Sequence, residues 1–274
     1  MKLETFAVLL LVVLLAFYAG WYFYDTLEPE SPPTPAADIE PPPQAPPKQS
    51  ERLPMPPRHP VSLPEKPPET DAKQPAVLPF PRKLAEVDGY LQRRLQDLVR
   101  DKSLLRLLRL EHFIGRLVVF IDQLPEKNLP RQHLPVNPPA PPFLVDRLDG
   151  HDVISSANAR RYDPYIRLLT AIPQQTLLRI YRGLYPLFQQ AWRQTGQPGY
   201  FNDRLIEVID HLLATPLPKE PIPLVRHINR YRFADPRLEA ESAGRKLLLR
   251  AGEQHARTLL QWLKELRTEL AGPG

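Results

Sequence analysis

The chain has 274 residues, with 36 prolines, 11 glycines, no cysteine, and 36 Lys and Arg against 31 Asp and Glu, a net charge of +5. Without cysteine, disulfides, thiolate metal sites and a cysteine nucleophile are all excluded. Proline and charge are both uneven: 19 prolines fall between Pro29 and Pro81, residues 1–82 hold 7 cations against 10 anions, and residues 83–274 hold 29 against 21.

The stretch FAVLLLVVLLAFYAGWYFY, Phe6–Tyr24, is 19 residues long and uncharged. As a helix it covers about 28 Å, close to the thickness of a bilayer core. Large aromatics stand where signal cleavage needs small residues, and Trp21, Tyr22, Phe23 and Tyr24 suit a headgroup interface. The pattern predicts an uncleaved signal anchor, a transmembrane helix over 1–25. Lys2 before it and Asp25, Glu28 and Glu30 after it predict an N-terminus in the cytoplasm. The chain would then be a single-pass inner-membrane protein whose C-terminal domain, in a bacterium, lies in the periplasm.

Residues 26–82 read as a disordered Pro-rich linker. Repeated prolines remove backbone donors and fix φ, and few apolar side chains are present to offset chain entropy. The favoured conformation is polyproline II, a stiff tether.

From Lys83 to Gly274 apolar residues recur at helical spacing, so the fold class expected for this body is all-α, one multi-helix globular domain. Leu84, Val87, Leu91, Leu95 and Leu98 form the stripe of a first helix. Ser103 is placed to cap a second, which runs to Leu124 and carries the most central apolar face, from Phe113 to Ile121. The Pro-rich stretch 125–142 reads as a loop, and Phe143 as the start of a short extended piece. A helix follows over Asn158–Ala171, and another over Gln174–Thr195, with Pro186 expected to kink it and Gly196 to end it. Asn202 or Asp203 is placed to cap the helix of RLIEVIDHLLA. Helical spacing resumes in LEAESAGRKLLLRAG and closes on Leu259, Leu263, Leu266 and Leu270.

Several segments occur together in this order: ANARRYDPY, LYPLFQQAW, FNDRLIEVIDHLLATP and YRFADPRLEAESAGRKLLLRAG. The most specific are Tyr185-Pro186-Leu187, Phe201-Asn202, the run from Phe233 to Glu239, and Lys246 through Arg250. Over nearly all of residues 83–274 the chain resembles a bacterial family catalogued as domain of unknown function 3014. That resemblance implies a single-span protein with a Pro-rich tether and a helical body, and it lends no activity.

No catalytic pattern emerges. Ser103, Ser155, Ser156 and Ser242 lie in neither G-x-S-x-G nor S-x-x-K, and the histidines lack metal-ligand spacing; His151 and Asp152 in GHD are two adjacent ligand types in a loop, a weak metal signal. No cofactor is expected. Tyrosine and arginine recur in a way that suits either a binding surface or internal polar packing. This gives Arg161, Tyr162, Tyr165, Tyr185, Tyr231, Asp235, Glu239 and Arg250 as a candidate polar cluster. The leading functional expectation is an envelope protein whose basic body binds or scaffolds a protein partner or an anionic polymer such as peptidoglycan. An enzyme acting on envelope polymers through Asp235 or Glu239 is one alternative. A membrane-tethered nucleic-acid binder is another; it is disfavoured, because it needs the opposite topology and Ala191 and Gly196 are one residue too far apart for a helix-turn-helix.

Overall fold

The computed structural model describes residues 56–63, 79–139, 143–228 and 230–271. In chain order these form helix α1 (Leu84–Leu98), a 3-10 turn (Lys102–Leu107), α2 (Phe113–Gln123) and a second 3-10 turn (Arg131–His133). Strands β1 (Val145–Leu148) and β2 (His151–Ile154) follow, then α3 (Ala157–Thr170), α4 (Gln174–Gln194) and α5 (Phe201–Leu213). Strands β3 (Pro223–His227) and β4 (Arg230–Phe233) precede α6 (Pro236–Ala240), α7 (Ala243–Arg250) and α8 (Glu253–Ala271).

The expectation of an all-α body is corrected. The four strands form one antiparallel sheet in the order β1-β2-β3-β4, built from two hairpins joined edge to edge. The first hairpin turns at Asp149 (φ 49°) and Gly150 (φ 80°), the left-handed pair that a two-residue hairpin loop requires. The second turns at Ile228, whose φ of 52° a β-branched side chain disfavours. Four- and five-residue strands are too short to register as a period of two. The inner face, with Val145, Ile154, Leu224 and Phe233, packs on Ile222, Leu238 and Leu249 as a small second core.

The expected signal anchor and transmembrane helix also find no support. Among the described residues no helix is long and apolar enough to cross a membrane, and Phe6–Tyr24 lies outside them.

The main core is built around α2, which buries Phe113, Ile114, Leu117, Val118, Phe120 and Ile121 between α1, α4 and α5. The helix expected from Ser103 onward is split. Asp101, not Ser103, caps the 3-10 turn, and Arg109 N donates to Pro135 O (2.8 Å) while Asn137 N donates to Leu107 O (2.8 Å). Backbone pairing with the Pro-rich loop thus replaces the helical bonds at 108–111. The start of α2 is capped instead from α1, where Asp88 accepts from His112 N (2.7 Å) and Phe113 N (3.1 Å). Pro186 does not divide α4, which runs through it as one 21-residue helix. The last expected helices divide at Glu241, with Ser242 capping α7 through Arg245 N (3.3 Å).

Two stretches of the Pro-rich region lie against the body. Pro57, His59 and Val61 are partly buried and alternate with exposed Pro56, Arg58, Pro60 and Ser62, as in an extended chain laid on a surface. Phe80 packs on the main core beside Tyr90, and its ring fills the space over Gly183 that any Cβ would enter.

Candidate functional site

The eight sequence-derived candidates do not form one surface. Arg161, Tyr162 and Tyr165 lie on α3 and Arg250 ends α7; Tyr162, Tyr165 and Arg250 are each 1% exposed or less. The Arg161 guanidinium stands 5.8 Å from the Tyr162 ring centre, and the Arg250 guanidinium lies 4.3 Å over Phe233. Burial pushes the Tyr162 hydroxyl up to about 12, with Arg161 and Arg250 pulling the other way, and pushes Tyr165 up as well. Both phenols therefore stay protonated near neutral pH, and Tyr165 Oη donates to Asn137 O (2.9 Å). Arg161 donates to Asn158 Oδ1 (3.0 Å) and Pro139 O (3.3 Å), and burial lowers its pKa. Asn158 in turn exchanges bonds with Leu144 N (2.9 Å) and Leu144 O (2.6 Å). These side chains tie the start of α3 to the approach to β1.

Asp235 and Glu239 are held in local structure. Asp235 caps α6 by accepting from Arg237 N (2.8 Å). Glu239 accepts from Phe233 N (3.0 Å) and faces Lys246 Nζ at 3.8 Å. Burial lowers the Lys246 pKa, and Glu239 opposes that shift. Tyr231 is half-buried against the second core. Tyr185 stands apart on α4, stacked edge-on to Tyr181 and donating to Gln189 Oε1 (3.3 Å), its pKa raised to about 12 by burial.

A cleft of about 490 Å³ opens between β1, β2 and the starts of α3 and α8, with Arg250 in its lining. Its charges are mixed: Arg147 and Arg250 face Asp146, Glu220 and Glu253, and Glu220 already caps α8 by accepting from Glu253 N (2.7 Å). It has no preference for an anion. His151 and Asp152 are successive on β2 and point to opposite faces of the sheet, which removes them as a ligand pair. Among the described residues no group of three or more His, Asp or Glu could hold a metal. His211 Nε2 lies 2.8 Å from Ser242 Oγ, and His255 Nε2 lies 2.9 Å from Asp163 Oδ1; both contacts join helices.

The β3–β4 hairpin is different in kind. PLVRHINRYRF, residues 223–233, carries Arg226, Arg230 and Arg232 with no acidic residue. Pairing puts Val225 opposite Arg232 and His227 opposite Arg230, on the face away from Leu224 and Phe233, with both arginines half-buried; Arg226, which is exposed, pairs with Tyr231 on the other face. Val225 is 48% exposed and Ile228, at the tip, 71%. The sequence signal was present as three arginines in seven residues with an aromatic between two of them, but only the strand register shows that Arg230 and Arg232 share a face and Arg226 takes the other.

No curated protein and no solved structure matches the chain. One family, described as "Protein of unknown function (DUF3014)", matches residues 113–267, more than half of the chain and all of the sheet, the cleft and the cationic hairpin apart from the edge of the Pro-rich region. On that match the chain belongs to the DUF3014 family.

Proposed function

We propose that the body is a binding and scaffolding module that meets an anionic envelope polymer, such as peptidoglycan, through the β3–β4 hairpin. The observation that carries this reading is the hairpin itself: a strand pair with no acid, Arg230 and Arg232 on the face of exposed Val225 and Arg226 on the other, ending in a tip residue, Ile228, held in a disfavoured conformation. Arginine forks match carboxylates in a two-point geometry, and an isoleucine exposed at a strained turn costs stability with no return from packing. Such strain is retained where the side chain has something to touch. The reading puts the body outside the cytoplasm, where that polymer lies.

Sedimentation of the full chain with purified wall material, over a range of salt, is the test. Retention at low salt that falls as salt rises is expected, because exposed charge pairs are screened over about 10 Å at 0.1 M. Replacing Arg226, Arg230 and Arg232 by Glu should lower retention at least about tenfold, on electrostatic complementarity. Absence of retention at low salt, or equal retention by the triple variant, refutes it.

A further inference from the structure

The second surface with built-in chemistry is the groove that holds residues 56–63. Asp203, in the first turn of α5, is 8% exposed, yet it caps no amide of its own helix. Its carboxylate instead accepts two consecutive amides from another part of the chain, Arg58 N at Oδ2 (3.0 Å) and His59 N at Oδ1 (2.8 Å). The neighbouring Asn202 is fully buried; its Nδ2 donates to His59 O (2.9 Å) while its Oδ1 accepts from Tyr181 Oη (2.9 Å). Tyr181 therefore fixes which end of the Asn202 amide meets the strand. Three polar contacts to one dipeptide read backbone, not side chain, and they fit only an extended chain.

Side-chain readout flanks the clamp. The Arg58 guanidinium pairs with Glu207, and Val61 packs at the edge of the main core. Pro56 stands at a mouth lined by Trp192, Pro198 and Tyr200, and Pro60 and Ser62 lie along Arg182 and Leu270. Without residues 56–63 the groove would present Asp122, Glu126, Asp203 and Glu207 against Arg204, a net negative surface. It would also uncover Asp203, whose side-chain partners among the described residues are the two strap amides, and offer its carboxylate and the Asn202 amide to any extended strand that carries donors and an acceptor at the same spacing.

We propose that the groove between α4, α5 and α8 is a peptide-recognition site, that residues 56–63 are its ligand in cis, and that a basic, proline-flanked extended peptide binds in trans by displacing them. The recognised features are an arginine whose own amide and the next one are free to donate, proline on either side of that pair, and a small β-branched residue two positions beyond the second amide. The strap alternates exposed and partly buried residues and none of it is fully buried, as in an element that can open without unfolding the body. Intramolecular tethering supplies an effective concentration on the order of millimolar, so a peptide in trans binds weakly until the strap is disabled.

The experiment uses the full chain and a fluorescent peptide with the sequence of residues 55–64, MPPRHPVSLP. His59→Pro in the chain removes one amide donated to Asp203 and leaves every groove residue in place. The His59→Pro chain should bind the peptide about 10- to 100-fold more tightly than wild type, the ratio expected from losing a millimolar internal competitor. Adding Asp203→Ala to it should abolish binding, and a peptide carrying the same His-to-Pro change should not bind. Equal binding by wild type and His59→Pro, or binding by neither, overturns the proposal; an unchanged melting temperature of His59→Pro shows that the comparison is between folded proteins. Wall retention through the β3–β4 hairpin is read separately and is unaffected by either result.

Discussion

Ile228→Asn isolates the cost of the hairpin tip. An L-residue held in the left-handed region loses about 1–2 kcal/mol, most for side chains branched at Cβ, whereas asparagine enters it readily by bonding to its own backbone. Ile228 is 71% exposed, so little apolar burial is given up. The net expectation is a gain of about 1 kcal/mol, or about 2–4 °C in melting temperature for a body of this size. Melting of the full chain by circular dichroism measures it, with wall retention of the same samples as the second readout. The variant should be more stable and less well retained. A melting temperature that falls or stays level would show that the φ of Ile228 is not a stored cost, and the inference from strain to binding would fail with it.

Asp88→Ala should destabilise the chain by about 1–2 kcal/mol, since it removes both acceptors that cap α2 from α1; an urea titration with unchanged midpoint would contradict that. Arg250→Ala should cost about 3 kcal/mol or more, combining a desolvated cation–π contact over Phe233 with the cavity left by a fully buried side chain, and calorimetry decides it. His211 has its pKa lowered, by burial first and by Arg245 next. Its folded value lies below the unfolded 6.5, so the unfolded chain takes up the proton first; stability is whole above 6.5 and is lost as pH falls through the folded value. His211→Gln should flatten the fall in melting temperature between pH 7.5 and 5.5, and an unaltered slope would assign the acid sensitivity elsewhere.

Helices with one dominant apolar stripe were legible in the residues. Leu259, Leu263, Leu266 and Leu270 are buried along α8, and the Phe113–Ile121 stretch is the centre of the core. Gly196, at φ 77°, ends the helix where its position says it should. The sheet was not legible, although Leu148-Asp149-Gly150-His151 is a strong two-residue hairpin signal; the flanking strands alternate too briefly to confirm it. Asn202 and Asp203 looked like caps because caps are what such residues usually do at a helix start. Their partners on the strap stand more than 140 residues away, and no local pattern reports a contact of that range. The eight tyrosines, arginines and carboxylates of the candidate cluster could be picked out by residue type, but not their burial, which removes Tyr162, Tyr165 and Arg250 from the surface.

The strap at 56–63 and the Phe80 latch over Gly183 grip the chain at two points ahead of α1. Tension applied from the N-terminal side meets the clamp on Arg58 and His59 before any of the described helices bears load. Peeling it open frees up to about 80 Å of contour between Pro56 and Pro79, at about 3.3 Å per residue. The groove then acts as a mechanical fuse: it yields length first and leaves the folded body unstretched.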